Sequence, residues 1–161
     1  MEWPFLHLLV LIITANGGPI LFRYLAGNKM AYPVDFRVIF FDQKRLLGNA
    51  KTWRGLIGSF LVTCPMAWLM GYDLTTGFLI AAGAMSGDLI SSFIKRRLNM
   101  RPSSMAPFLD QIPESLIPAL LVMQAFHLTA NTVTYLVIIF FILEYVLSRL
   151  LYELGIRKKP Y

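Results

Sequence analysis

Five apolar windows, separated by shorter polar stretches, take up most of the 161-residue chain: Trp3 to Leu25, Gly55 to Tyr72, Thr76 to Ile94, Ile112 to Phe126 and Val133 to Tyr152. At roughly 15 to 25 residues, each is long enough to carry a helix across most or all of a hydrocarbon layer. Backbone polar groups have no water to bond to in that layer, so each window is predicted to be a helix. The pattern describes an all-α integral membrane protein with five transmembrane helices. It forms a single membrane-embedded domain over residues 1–161, with no room for a soluble one. A hydrophobic content of 57% and a mean hydropathy of +0.60 agree, because a soluble core of this size could not hide so much apolar surface.

Where the charges fall adds an orientation. Lys29, Arg37, Lys44, Arg45, Lys51 and Arg54 lie between the first two windows, Lys95, Arg96, Arg97 and Arg101 between the third and fourth, and Arg157, Lys158 and Lys159 in the tail. The loops on the other side contain no lysine or arginine. By the positive-inside rule the N-terminus is outside and the C-terminus cytoplasmic. The first window is expected to remain in the mature chain, since Glu2 precedes it and Arg23 and Lys29 follow it, the reverse of a cleaved signal peptide. The single Cys64 sits within the second window and is expected to be a packing thiol.

Two interruptions stand out. Asn16-Gly17-Gly18-Pro19 divides the first window, because Pro19 cannot donate to the carbonyl of Ala15. Two readings stay open: a broken helix offering amides and the Asn16 side chain to a polar ligand, or a kink packed against neighbours. In the loop that follows, Phe36-Arg37-Val38-Ile39-Phe40-Phe41 is apolar with one cation, which suits a segment at the lipid headgroups or an ordinary packed loop.

Acidic residues are scarce, nine in all, and three of them fall in one stretch: Asp88, Asp110 and Glu114, with Lys95, Arg96, Arg97 and Arg101 between. On a helix Asp88, Ser91, Ser92 and Lys95 share one face, a polar stripe inside a membrane span. An intramembrane carboxylate is costly and marks a functional site by default. Pro113 suits a first helical turn flanked by Asp110 and Glu114, and Pro118 is expected to bend that helix beside the acids. Carboxylates facing cationic loops at a membrane surface suit a metal-bound phosphate substrate. Glu144, with Ser148 and Arg149 one turn on, reads as a packing or ion-pair residue.

Two motifs carry a resemblance. Lys51-Thr52-Trp53-Arg54-Gly55, followed by Gly58, resembles the K-T-W-E-G-x-x-G element of phosphatidate cytidylyltransferases. Gly87-Asp88-Leu89, Ser92 and Lys95-Arg96, followed by Asp110, is similar to that family's G-D-x-x-x-S-x-x-K-R signature and its second acidic block. The chain departs from the bacterial pattern: Pro107-Phe108-Leu109 stands where that pattern has His-Gly-Gly, Gln111 replaces an arginine, and the next acid, Glu114, comes one place late. These departures, the shortness of the chain and the Asn16 to Pro19 element resemble the compact archaeal branch, the CDP-archaeol synthases.

The resemblance implies transfer of a cytidylyl group from CTP to an unsaturated archaeal ether-lipid phosphate, with release of pyrophosphate. It also implies Mg2+ held through Asp88 and Asp110, with Glu114 a third candidate at shifted spacing. Nucleotidyl transfer uses a nucleophile that is already ionised, so it needs charge neutralisation more than proton transfer. The expected roles follow: Asp88 and Asp110 at the metal, Lys51, Arg54, Lys95 and Arg96 on phosphates, and Thr52, Ser92 and Asn16 orienting substrate. The expected partners are CTP, the lipid acceptor and surrounding lipid; nothing calls for nucleic acid, and the oligomeric state, a homodimer included, stays open. A small ion-coupled transporter or channel, with Asp88 carrying the ion, is the competing class. A CDP-alcohol phosphotransferase is disfavoured because no D-G-x-x-A-R element exists.

Overall fold

The structure, a computed structural model, describes residues 3–27, 31–101, 104 and 106–155. Lys29, Arg157, Lys158 and Lys159, counted above among the basic residues, lie outside them. Five helices follow the five windows: α1 (Trp3–Ala26), α2 (Trp53–Leu69), α3 (Leu74–Arg97), α4 (Gln111–Leu121) and α5 (Ala130–Glu153). Among the described residues, α1, α3 and α5, each 24 residues, are long and apolar enough to cross a membrane. α2 has 17 residues and α4 only 11, shorter than the apolar window that foretells α4, because the chain turns after Leu121 although its residues stay apolar.

The core shows how the helices alternate. Phe5, Leu8, Leu9, Leu11 and Ile12 from the first half of α1 pack with Ile80 and with Val133, Leu136 and Phe140 from the first halves of α3 and α5. They meet Ala67 and Ala119 near the far ends of α2 and α4. α2 and α4 therefore run against the other three, and this apolar core fills one end of the bundle. The opposite end collects the loop at 31–52, the described residues at 98–101 and 106–110, and the polar half of α3.

Close crossings bring the helices together. A β-carbon on Gly18 of α1 would come within 2.7 Å of Ser59 Cα in α2, and one on Gly83 of α3 within 2.7 Å of Pro118 Cα in α4. Small residues let backbones approach in this way where lipid provides no hydrophobic drive between helices. α1 runs unbroken through Pro19, and the Asn16 Nδ2 donates to Ile12 O of the same helix at 3.1 Å. The packed reading of Asn16 to Pro19 is the one observed. The helix is not split, because Gly18 is seated against α2. α4 likewise continues through Pro118, which is fully buried.

The loop ahead of α2 is held to the end of α3. Arg97 Nη1 pairs with Asp42 Oδ1 at 3.0 Å, its Nη2 donates to Arg45 O at 2.7 Å, and its guanidinium lies over the rings of Phe40 and Phe93, 4.9 Å from each. Phe36, Val38, Ile39 and Phe41 of this loop are exposed.

Candidate active site

The polar end of the bundle is built from three segments. Lys51 precedes the N-cap of α2, Asp88 stands in the middle of α3, and Glu114 is in the first turn of α4. Lys51 Nζ lies 2.5 Å from Asp88 Oδ1, and the carboxyl groups of Asp88 and Glu114 are close enough to interact directly. Their juxtaposition has a backbone cause. Gly87 packs on the Pro113 carbonyl group and the Glu114 amide so tightly that a β-carbon there would collide with them, and the residue after each partner is an acid of the site. Burial works against the Lys51 charge, but the carboxylates of Asp88, Glu114 and Asp110 outweigh it and hold the ammonium above its ordinary pKa.

A second ion pair sits two turns along α3. Lys95 Nζ lies 2.6 Å from Asp110 Oδ1, while Asp110 Oδ2 accepts from the Ala106 amide at 3.2 Å. The resemblance implies Asp88 and Asp110 at a metal with Glu114 third; in the structure the Asp88 and Glu114 carboxyl groups are neighbours and Asp110 pairs with Lys95. Among the described residues no three His, Cys, Asp or Glu side chains form a ready metal cluster. Magnesium is nevertheless commonly held by one or two carboxylates together with substrate phosphates. The adjacent Asp88 and Glu114 oxygens form a hard donor pair of that kind, so the residues fit the ion.

The remaining candidates fall around these pairs. Ser92 and Arg96 are buried on α3. Thr52 caps α2, its Oγ1 accepting from the Gly55 amide at 3.3 Å. Arg54 is buried, and its Nη1 donates to Gly27 O. Asn16 follows Ala15, which packs on Ala84 and Met85 one turn before Asp88; its own amide group is spent on Ile12, and no described contact ties it to the carboxylates. Beyond Lys95, a pocket of about 350 Å³ is lined by Lys44, Arg45, Arg96 and Arg101 with Gly48 and Asn49. Its four cations suit a polyanion.

The CarS-like model, described as CDP-archaeol synthase, matches residues 5–72 and 69–161. The chain belongs to this family. As a CDP-archaeol synthase family member it is a membrane-embedded cytidylyltransferase, which decides against the transporter reading. A CDP-archaeol synthase of Methanococcus maripaludis is 34% identical over 152 residues, covering 83% of this chain and 84% of that protein. One from Thermofilum pendens is 38% identical over 103 residues, 61% of this chain and half the length of that relative. A solved structure, described as an intramembrane enzyme for archaeal membrane lipids biosynthesis, superposes with a TM-score of 0.70 at 26% identity, over 88% of this chain and 90% of that one.

Sequence reasoning missed three contributors to this family member's polar end. Lys44 and Arg45 read only as loop cations, yet both line the pocket. Asp35, buried in the same loop, gave no signal beyond an acid two residues before Arg37, the spacing of an Asx turn. Glu144 of α5 accepts from Ser148 at 3.4 Å, as expected of a packing residue, but it also lies close enough to Glu114 for their charges to interact.

Proposed function

We propose that the chain transfers a cytidylyl group from CTP to an archaeal ether-lipid phosphate, unsaturated archaetidic acid (2,3-bis-O-geranylgeranylglycerol phosphate), at the cytoplasmic face of the cell membrane. The observation that carries this reading is the cluster of Lys51, Asp88 and Glu114, drawn from three segments and flanked by the Lys95–Asp110 pair. In this reading the chain crosses the bilayer five times, the fourth crossing completed beyond the short α4 by the apolar turns at 122–127, with the N-terminus outside and the basic loops in the cytoplasm. The lipid acceptor comes sideways from the membrane and the nucleotide from the aqueous side.

An oxygen of the lipid phosphate attacks the α-phosphorus of CTP. The bond from that phosphorus to the oxygen bridging to the β-phosphate breaks, and pyrophosphate leaves with the electron pair. Because the nucleophile is an anion approaching an anion, the protein's task is to place and neutralise charge. Lys51 and Lys95, held at the site by carboxylates, are ammonium groups that can turn to phosphate oxygens. Arg96 lies eight residues beyond Asp88 on α3, roughly 12 Å along the axis. A triphosphate is shorter than that, so with its charged tail in the four-cation pocket its α-phosphorus would lie nearer Lys95, on the Asp88 side of the pocket. Asp88 and Glu114 would hold Mg2+, with Asp110 a further candidate; bound there, the ion would offset charge on the attacking and leaving oxygens.

The test is purified protein with labelled CTP, magnesium and a panel of lipid phosphates. CDP-lipid and pyrophosphate should appear together, only with the lipid phosphate present and not after chelation of the metal. Pyrophosphate released without lipid would sink the reading.

A further inference from the structure

The loop ahead of α2 is organised around Asp35, which is only 4% exposed. Its Oδ1 accepts from Arg45 Nη2 at 2.6 Å and from the Arg37 amide at 3.1 Å. Its Oδ2 accepts from the amides of Leu47 and Gly48, both at 3.0 Å. Gly48 turns its amide toward the carboxylate with φ of 93°, a conformation that glycine adopts without strain. Arg45 is held a second time, its Nη1 donating to Asn49 Oδ1 at 2.8 Å. Arg45, Gly48 and Asn49 form one wall of the cationic pocket.

Asp35 itself does not line that pocket, so it would not touch a ligand there. What it does is remove freedom from groups that would. An arginine side chain and a three-residue stretch of backbone are costly to order at the moment of binding, and a wall built in advance avoids that cost.

We propose that Asp35 is a positioning residue for the nucleotide: by fixing the Arg45 guanidinium and the backbone at 47–49, it builds the wall of the pocket that receives the triphosphate. The proposal rests on the cytidylyltransferase reading and adds to it a residue away from the carboxylates that sets affinity for CTP. It acts on nucleotide binding and leaves the lipid side and the chemical step alone. Asp88 and Glu114 lie on other segments, and Lys51, although in the same loop, is held by its own carbonyl accepting from the Val34 amide at 2.9 Å, a bond that Asp35→Asn leaves in place.

The experiment compares the full chain with Asp35→Asn and Arg45→Gln, in vesicles with saturating lipid phosphate, and measures CTP binding at equilibrium alongside turnover. Each variant should raise the KM for CTP roughly tenfold, with kcat and the KM for lipid phosphate within about twofold of the parent. The double variant should fall short of the product of the two single effects, because the Arg45 contact is removed by both. A purely structural role would lower kcat for both substrates together, and that result, or an unchanged KM for CTP, overturns the proposal. Should Asp35→Asn fail to fold, Arg45→Gln decides alone, since Arg45 is partly exposed and its replacement leaves the amide bonds to Asp35 in place. Parent protein that binds CTP without turning it over sinks the transfer reading, and loss of that binding in Asp35→Asn still supports the wall.

Discussion

The Lys51 ammonium and the Asp88 carboxylate meet at 2.5 Å, one brought by the loop ahead of α2 and the other by the middle of α3. Each residue answers the charge of the other while no substrate is present. If that were its whole purpose, the pair would work equally well reversed.

Activity should tell the two cases apart. Asp88→Asn and Lys51→Met are each expected to lower kcat by roughly 100-fold or more, as removal of a charge-stabilising group at a reacting centre does. The exchange of Lys51→Asp with Asp88→Lys should restore thermal stability toward the parent and leave activity lost. Recovered turnover in the exchanged protein would reduce the pair to a structural salt bridge.

A glycine series tests the seam between α3 and α4. Gly87→Ala would force the Pro113 backbone away, separating Asp88 from Glu114, so turnover should fall at least tenfold even where the protein stays folded. Gly17→Ala is the control: nothing lies within 4 Å of a β-carbon there. It should leave activity unchanged and raise stability by up to about 1 kcal/mol through helix propensity. Both are read from turnover and thermal unfolding in the same detergent.

The five helices were legible because long apolar runs between basic loops leave little else for the backbone to do. The early end of α4 was not, since Val122, Met123, Ala125 and Phe126 keep the hydropathy high after the helix has stopped. The candidate site residues came from the two motif resemblances, which did not say how they pair. Whether Asp88 meets Asp110 or Glu114 depends on how α3 and α4 are rotated about their axes, and Gly87 against Pro113 decides it. Pro19 suggested a break that Gly18 and its neighbours in α2 made unnecessary. Asp35 gave the weakest signal, because four bonds from residues up to thirteen positions away form only once the loop has closed.

Acid should loosen that loop in a defined window. Burial works against the Asp35 charge, yet the Arg45 guanidinium and the amides of Gly48, Leu47 and Arg37 outweigh it and lower its pKa from 3.8 to about 2. A depressed carboxylate contributes stability that is present above the unfolded value of 3.8 and lost as pH falls through about 2, here about 2 kcal/mol. Hydrogen exchange at the Leu47 and Gly48 amides should lose protection across that window in the parent and show no such step in Asp35→Asn.

Sidedness can be read with single cysteines in a Cys64→Ala background. A cysteine at the exposed Arg101 should react with an impermeant reagent only from the cytoplasm, and one at Asp73 only from outside. Labelling of both from the same side would contradict five crossings.

The backbone seam of Gly83 and Gly87 against Pro118 and Pro113 also bears on temperature. Burial of apolar surface from water weakens on cooling, but helices in lipid gain little from that effect and hold through close fit instead. The gap between Asp88 and Glu114 is therefore set by hard contact between main chains. It should keep its width from cold to hot while the surrounding lipid changes fluidity, so that the temperature dependence of turnover belongs to the substrates and the bilayer rather than to the spacing of the carboxylates.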